Sequence, residues 1–361
     1  WSVTLAVPPE FEILGSTGYY GVREEQPAFL CKPMGEQEIE GKRMRLARVT
    51  ASKPLLSGRH PIFSLFNAFV RCPEGAAEPK DGLRILYWAE ANDRSVVEPM
   101  QAIPVRLLPP LQGRQPKKLV WQLWGSWLSN MDDPAMRDAV LRTAQAAGVN
   151  DVVAGDRWTS DNAPRFGMKH TVGINFQPWA VNLAPYLEQH PDERLIGKDG
   201  KPGKALLCMT LLLDKSWPAV EAALAKKIEE TRPHTVDYDY EYGPFEGPHS
   251  CYCPRCLQAF REHARLPADT PLDAAAIKEK HDDAWVDFMA WRVAQMFAKM
   301  KESIHRLAPG TLFSAYSGYA VPDNPRQYGI NWAYFGKLQA ADRIGCGYGR
   351  PVEYLKTTTD A

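Results

Sequence analysis

The chain has 361 residues, 45% of them hydrophobic and 24% charged, the proportions of an ordinary folded domain and not of a fibrous or disordered chain. Lysine plus arginine and aspartate plus glutamate each number 43, so the net charge is zero, and no excess is present to hold nucleic acid or an anionic membrane. The longest apolar stretch, Leu206–Leu213, is broken by Thr210 and falls far short of the roughly 20 residues that span a bilayer.

The length predicts two domains, or one large barrel with an accessory domain. Tryptophan is enriched at 11 residues and proline at 30. Indole rings in such number serve either a large core or flat platforms for ring-shaped ligands such as sugars. The chain starts on Trp1 and enters a strand at once. A removed signal peptide would explain this, as would trimming, and a secreted or periplasmic protein is the expectation.

Residues 1–115 read as short strands punctuated by proline and glycine. Ser2–Val7, Met44–Val49, Pro61–Val70, Leu83–Trp88 and Ile103–Leu108 carry β-type alternation or short apolar runs,. They predict an all-β sandwich. Residues 109–116 then form a proline-rich linker. From residue 118 the pattern becomes strand, helix, strand. The strands are Lys118–Trp124, Asp151–Ala154, Thr171–Phe176, Thr235–Tyr240, Thr311–Tyr316 and Arg343–Gly345. Between them, Met136, Val140 and Ala144 share a helix face, as do Val220, Leu224 and Ile228. Trp285, Phe288, Met289, Met296, Met300 and Ile304 line a long helix,. Repeated βα units imply a parallel sheet, and long aromatic loops after the strands favour a (β/α)8 barrel over residues 118–361, with a doubly wound sheet as the alternative. About six strands precede Ala361, so the barrel is expected to continue beyond it.

The segment Val236-Asp237-Tyr238-Asp239-Tyr240-Glu241-Tyr242 carries the most chemistry. Side chains alternate along a strand. Asp237, Asp239 and Glu241 therefore share one face and the three tyrosines the other. Tyrosines suit the helix side of a barrel, which points the acids inward. Three inward carboxylates raise one another's pKa, and a general acid needs a raised pKa. Glu241, nearest the strand's end, is the predicted proton donor. The bland alternative is a solvated edge strand. Trp124, Trp127, Trp158, Trp179, Tyr316 and Tyr319, at or just after strand ends, are candidate sugar platforms, and Asp156 a candidate hydroxyl contact. Each also reads as ordinary packing or a solvated loop.

A second cluster follows: His249-Ser250-Cys251-Tyr252-Cys253-Pro254-Arg255-Cys256. Three thiols in six residues suit a tetrahedral metal site, with zinc the expected ion, provided a fourth ligand joins them. Cys208, His249 and His263 are the candidates. Disulfides or unmetallated thiols are the alternatives.

These residues resemble glycoside hydrolase family 42, the β-galactosidases. There E-Y-G likewise leads into C-Y-C-x-x-C-x-x-A-F-R, here Glu241 to Arg261. The resemblance spans about residues 118–350 and is specific across 241–261. It implies a barrel glycosidase with Glu241 as acid/base and zinc on Cys251, Cys253 and Cys256, with Cys208 placed comparably to a further family cysteine. Tyr240 stands where the family has a sugar-contacting asparagine, the N-terminal β-domain is not a family feature, and the family nucleophile ends a seventh strand that this chain does not show. Asp237-x-Asp239-x-Glu241 also resembles the strand-four motif of chitinase-like family 18, where the aspartate before the acid orients a substrate N-acetyl group. The expectations are thus a retaining glycosidase on a carbohydrate substrate, a substrate-assisted N-acetylhexosaminidase-like enzyme, or a barrel that binds carbohydrate without cleaving it. The sequence leaves the sugar and the oligomeric state open.

Overall fold

A computed structural model describes residues 2–346, apart from 19–28, 53–65, 74, 77, 79–81, 92, 94, 108–111, 177–180 and 318–322. The chain divides into two compact units, Trp1–Lys169 and His170–Ala361. The architecture is mixed α/β, with parallel strands alternating with helices and with separate antiparallel sheets.

The first unit opens with strands β1 (Ser2–Val7), β2 (Glu12–Gly18), β3 (Phe29–Ile39), β4 (Lys42–Ala51), β5 (Phe66–Arg71), β6 (Leu83–Glu90) and β7 (Val96–Val105). Five of them form an antiparallel sheet in the order β3-β4-β1-β6-β7, while β2 pairs with β5. Apolar clusters join the two sheets: Leu5 and Val49 pack with Ile13 and Phe66, and Val7 and Leu83 with Ile13 and Val70. Strands β2 and β3 escape the sequence reading. Strand β3 is an edge strand exposed along most of its length, so no burial pattern marks it, and Pro33 and Gly35 flank a break in its register,. The same unit continues with β8 (Gln122–Trp124), α1 (Pro134–Ala146), β9 (Asp151–Val153) and α2 (Arg157–Asn162). Strands β8 and β9 pair in parallel, Gln122 opposite Asp151. Asp133 caps α1 by accepting the Ala135 N–H at 2.8 Å, with Pro134 in the first turn, as its sequence position predicts.

The second unit contains β10 (Lys169–Ile174), α3 (Ala184–Gln189), β11 (Arg194–Ile196), β12 (Pro202–Leu207), α4 (Met209–Leu212), α5 (Trp217–Thr231), β13 (Thr235–Asp239), α6 (Pro254–His263), α7 (Ala274–Lys280), α8 (Asp282–Leu307), β14 (Leu312–Ser317), α9 (Asn324–Tyr328), α10 (Trp332–Leu338) and β15 (Arg343–Cys346). Strands β10, β13, β14 and β15 lie side by side and parallel. Strands β11 and β12 form a small antiparallel hairpin between β10 and α5, which the sequence reading does not contain.

The helix stripes fall where the 3.6-residue period puts them. Val220, Leu224 and Ile228 of α5 are buried, as are the six expected apolar residues of α8. They close over Val172, Ile174, Val236, Tyr238, Phe313 and Ala315, the apolar face of the parallel strands. Phe297 of α8 is the hub: its ring stacks on Tyr238 at 5.0 Å and meets Phe335 at 4.9 Å and Phe313 at 5.6 Å. Phe297→Ala is expected to cost about 3–5 kcal/mol in equilibrium denaturation, since a fully buried ring leaves a cavity. A loss below about 1 kcal/mol would show that the surrounding rings can close the gap.

Candidate functional site

Strand β13 separates its side chains as the alternation predicts. Val236 and Tyr238 lie in the helix-covered core, and Tyr240 joins them just past the strand's end. On the other face Asp237 registers with Gly173 and Ser314, and Asp239 with Tyr316. The ladder continues one residue further, because the Tyr240 N–H donates to the Tyr316 carbonyl at 2.9 Å. Glu241 therefore stands at the C-terminal end of a parallel strand, half-buried, with Asp239 behind it and Asp237 buried deeper.

The electrostatics follow from that row. Asp239 is pushed up to about 7, first by burial and then by the charges of Glu241 and Asp237. Its Oδ1 is buried without a hydrogen-bond partner among the described residues. Burial also raises Glu241 above the ordinary carboxylate range. Near neutral pH the group holds more protons than three free carboxylates would, as proton donation requires.

The loop after β13 is pinned from several sides. The Pro244 carbonyl accepts both the Ser250 hydroxyl and the Trp285 indole N–H, each at 2.9 Å. His249 is buried, with Nε2 3.2 Å from the Tyr238 hydroxyl, and its ring stacks on Tyr240 and meets Phe176 edge-on. Burial drives its pKa down to about 3, so the imidazole is neutral. Tyr240 thus faces the helices and not the acid face. Gly329, after α9, has φ +67, and a Cβ there would lie 2.8 Å from the Tyr242 carbonyl. This close approach against the acid-bearing segment has no sequence signal beyond the glycine itself.

Cys208, Cys251, Cys253 and Cys256 converge. All four are buried, none is in a disulfide, and their sulfurs lie within 4.8 Å of one another. Cys208 Sγ is 3.5 Å from both Cys253 Sγ and Cys256 Sγ. A tetrahedron with metal–sulfur bonds of about 2.3 Å has edges of about 3.8 Å, whereas a disulfide needs about 2.05 Å. The donor set and its spacing therefore fit a metal ion. The Ile196 N–H points at Cys251 Sγ at 3.4 Å, and the Thr210 hydroxyl lies 3.2 Å from Cys256 Sγ. Cys253 occupies the N-cap position of α6, where the helix dipole favours thiolate. His249 and His263, the other candidates for fourth ligand, are engaged elsewhere, His263 with Asp287 at 3.0 Å.

The remaining sequence candidates scatter. Tyr316 is half-buried beside Asp239 in register. In the first unit Trp124 ends β8 and is 46% exposed. Trp127 packs on Phe69 at 5.3 Å. Trp158 lies under the Arg137 guanidinium at 4.9 Å, and Asp156 caps α2 through the Thr159 N–H while pairing with Arg137 at 3.4 Å. These three have packing or capping partners of their own. Trp179 and Tyr319 lie outside the described residues. No helix among the described residues is long and apolar enough to cross a membrane.

No family model and no curated protein matches the sequence. Among solved structures the chain is similar to the β-galactosidase of Bacillus circulans sp. alkalophilus, with 13% identity, a TM-score of 0.40, and 64% of this chain and 40% of that chain covered. The corresponding figures are 14%, 0.40, 67% and 41% for the β-galactosidase of the haloarchaeon Halorubrum lacusprofundi. For the β-galactosidase of the psychrophile Marinomonas ef1 they are 13%, 0.41, 64% and 40%. The chain thus spans about 40% of the length of these proteins.

The row of acids sets a pH dependence. An unfolded aspartate titrates near 4, so between about pH 4 and 7 the folded chain holds a proton on Asp239 that the unfolded chain has lost. Stability from this group is present at low pH and falls as pH rises through that window. Asp239→Asn should therefore stabilise the protein more at pH 8 than at pH 5, by about 2 kcal/mol after allowance for its partial exposure. Equal effects in denaturation at the two pH values would contradict the raised pKa.

Proposed function

We propose that the chain is a glycoside hydrolase whose general acid/base is Glu241. The observation that carries this is the acid face of β13, which ends in a half-buried Glu241 with raised pKa beside a partly protonated Asp239. The resemblance of Glu241–Arg261 to family 42 supports the same reading. On it, residues 118–361 belong to a (β/α)8 barrel preceded by a β-sandwich over residues 1–115, and the substrate is a carbohydrate. In the retaining form Glu241 protonates the leaving oxygen and later takes a proton from water, with a nucleophile supplied by a seventh strand. On this reading Tyr316, in register with Asp239, contacts the sugar. Burial would keep Glu241 protonated beyond the range of an exposed carboxylate, while the charges of Glu241 and Asp237 add to burial in raising Asp239. A second reading is favoured by the position of Asp239, directly before the acid on the same face. There Asp239 orients an N-acetyl group of the substrate, which itself acts as nucleophile.

Zinc on Cys208, Cys251, Cys253 and Cys256 would be structural, tying the loop that follows Glu241 to the β11–β12 hairpin. Four thiolates leave no open position for chemistry. Elemental analysis of the purified protein should give about one zinc per chain, lost in Cys253→Ser. Thiols recovered only after reduction would instead mean disulfides.

Glu241→Gln keeps the shape and cannot deliver a proton. Hydrolysis of glycosides with poor leaving groups should fall by about 10²–10⁴-fold. Nitrophenyl glycosides, which need less protonation, should lose less in the glycosylation step. Cleavage confined to N-acetylhexosaminides would select the substrate-assisted reading. A variant as active as the parent on both substrate types would remove Glu241 from the chemistry, and carbohydrate binding without turnover in the parent would leave a binding barrel.

A further inference from the structure

Glu193 is a buried carboxylate that the proposed chemistry does not use. It precedes β11 and is 3% exposed. Its Oε2 accepts the Tyr186 hydroxyl at 2.8 Å and the Ser216 hydroxyl at 2.5 Å, and its Oε1 pairs with Lys215 Nζ at 2.7 Å. Tyr186 belongs to α3, and Lys215 and Ser216 precede α5, so one carboxylate fastens three segments. Burial alone would push its pKa up, but hydrogen bonds from Lys215, Ser216 and Tyr186 hold it below the ordinary value. Such a network is costly to leave half-made.

The backbone at this point leads to the sulfur cluster. The Glu193 carbonyl accepts the Cys208 N–H at 2.8 Å. The neighbouring Asp192 carbonyl accepts Arg255 Nη2 at 2.8 Å, and Arg255 lies between Cys253 and Cys256. The Cys251–Cys256 run brings three sulfurs together locally. Cys208 comes from 45 residues before Cys253, and ordering it at the moment of metal capture would cost affinity.

We propose that Glu193 is the positioning residue that presets Cys208 for metal capture. The proposal rests on the metal reading of the four cysteines. Groups that orient metal ligands without touching the ion alter affinity by about 10–100-fold when changed.

The test uses the purified zinc-loaded chain and follows zinc transfer to a chromogenic chelator under native conditions, with thermal unfolding recorded in parallel. Glu193→Gln should release zinc about 10–100-fold faster than the parent. Glu221→Gln, which removes an unrelated carboxylate of α5 paired with Arg306 of α8, should lower the unfolding temperature without speeding release. An unchanged release rate in Glu193→Gln, with only a lower unfolding temperature, would overturn the proposal and leave Glu193 a purely structural group. Should Glu193→Gln fail to fold, Lys215→Met removes only the exposed cation. Faster release there supports the proposal, and an unchanged rate overturns it. A parent chain that takes up no zinc, with all four thiols reacting at once with a thiol reagent, would defeat the metal reading itself. That signature differs from an unchanged release rate.

Discussion

Like charges on one face of a buried strand cannot all ionise. Asp237, Asp239 and Glu241 lie two positions apart on the strand, so their carboxyls share one face, and the tyrosines between them bring no compensating positive charge. Water reaches Glu241 better than Asp237, so the three stand in graded environments. The pair nearest the strand end keeps a proton in a range where an exposed carboxylate has lost it. The proposed chemistry draws on that gradient. The surrounding fold preserves it by filling the opposite face with rings and closing α8 over them.

The segment beyond the strand is held just as firmly. His249 lies neutral among Tyr238, Tyr240 and Phe176, where a charged imidazole would be expelled. Pro244 and Phe245 present carbonyls that Trp285, Ser250 and Tyr252 fill. The Tyr252 N–H donates to the Ile196 carbonyl at 2.8 Å, joining this loop to the hairpin edge. Glu241 thus has a paired strand on one side and a loop tied by these bonds on the other, the support that a proton-transferring group requires.

Much of this is readable in one dimension. The acid and tyrosine alternation, the stripes of α5 and α8, and the local cysteine spacing each follow a fixed period. What stays hidden depends on three-dimensional company. Strands β11 and β12 are three and six residues long and carry no distinctive period, and β3 is an exposed edge. Cys208 is one of three candidates for the fourth ligand, and the structure singles it out from His249 and His263. Glu193, in a Pro-Asp-Glu-Arg stretch, reads as a solvated acid, and burial alone reveals its role. Trp127 and Trp158 show the converse. Nothing in the sequence separates a flat ring offered to a sugar from one that packs on Phe69 or under Arg137.

The strict alternation in β13 has a consequence for how this region tolerates change in length. Odd positions from 237 to 241 carry the acids, and even positions carry the rings that lock against α8 and His249. Substituting one residue disturbs one position. Inserting or deleting one residue between Asp237 and Glu241 exchanges the two faces downstream, burying an acid among aromatic rings and turning a tyrosine towards the acid face. Along these five residues the fold therefore tolerates point changes far better than any shift of frame.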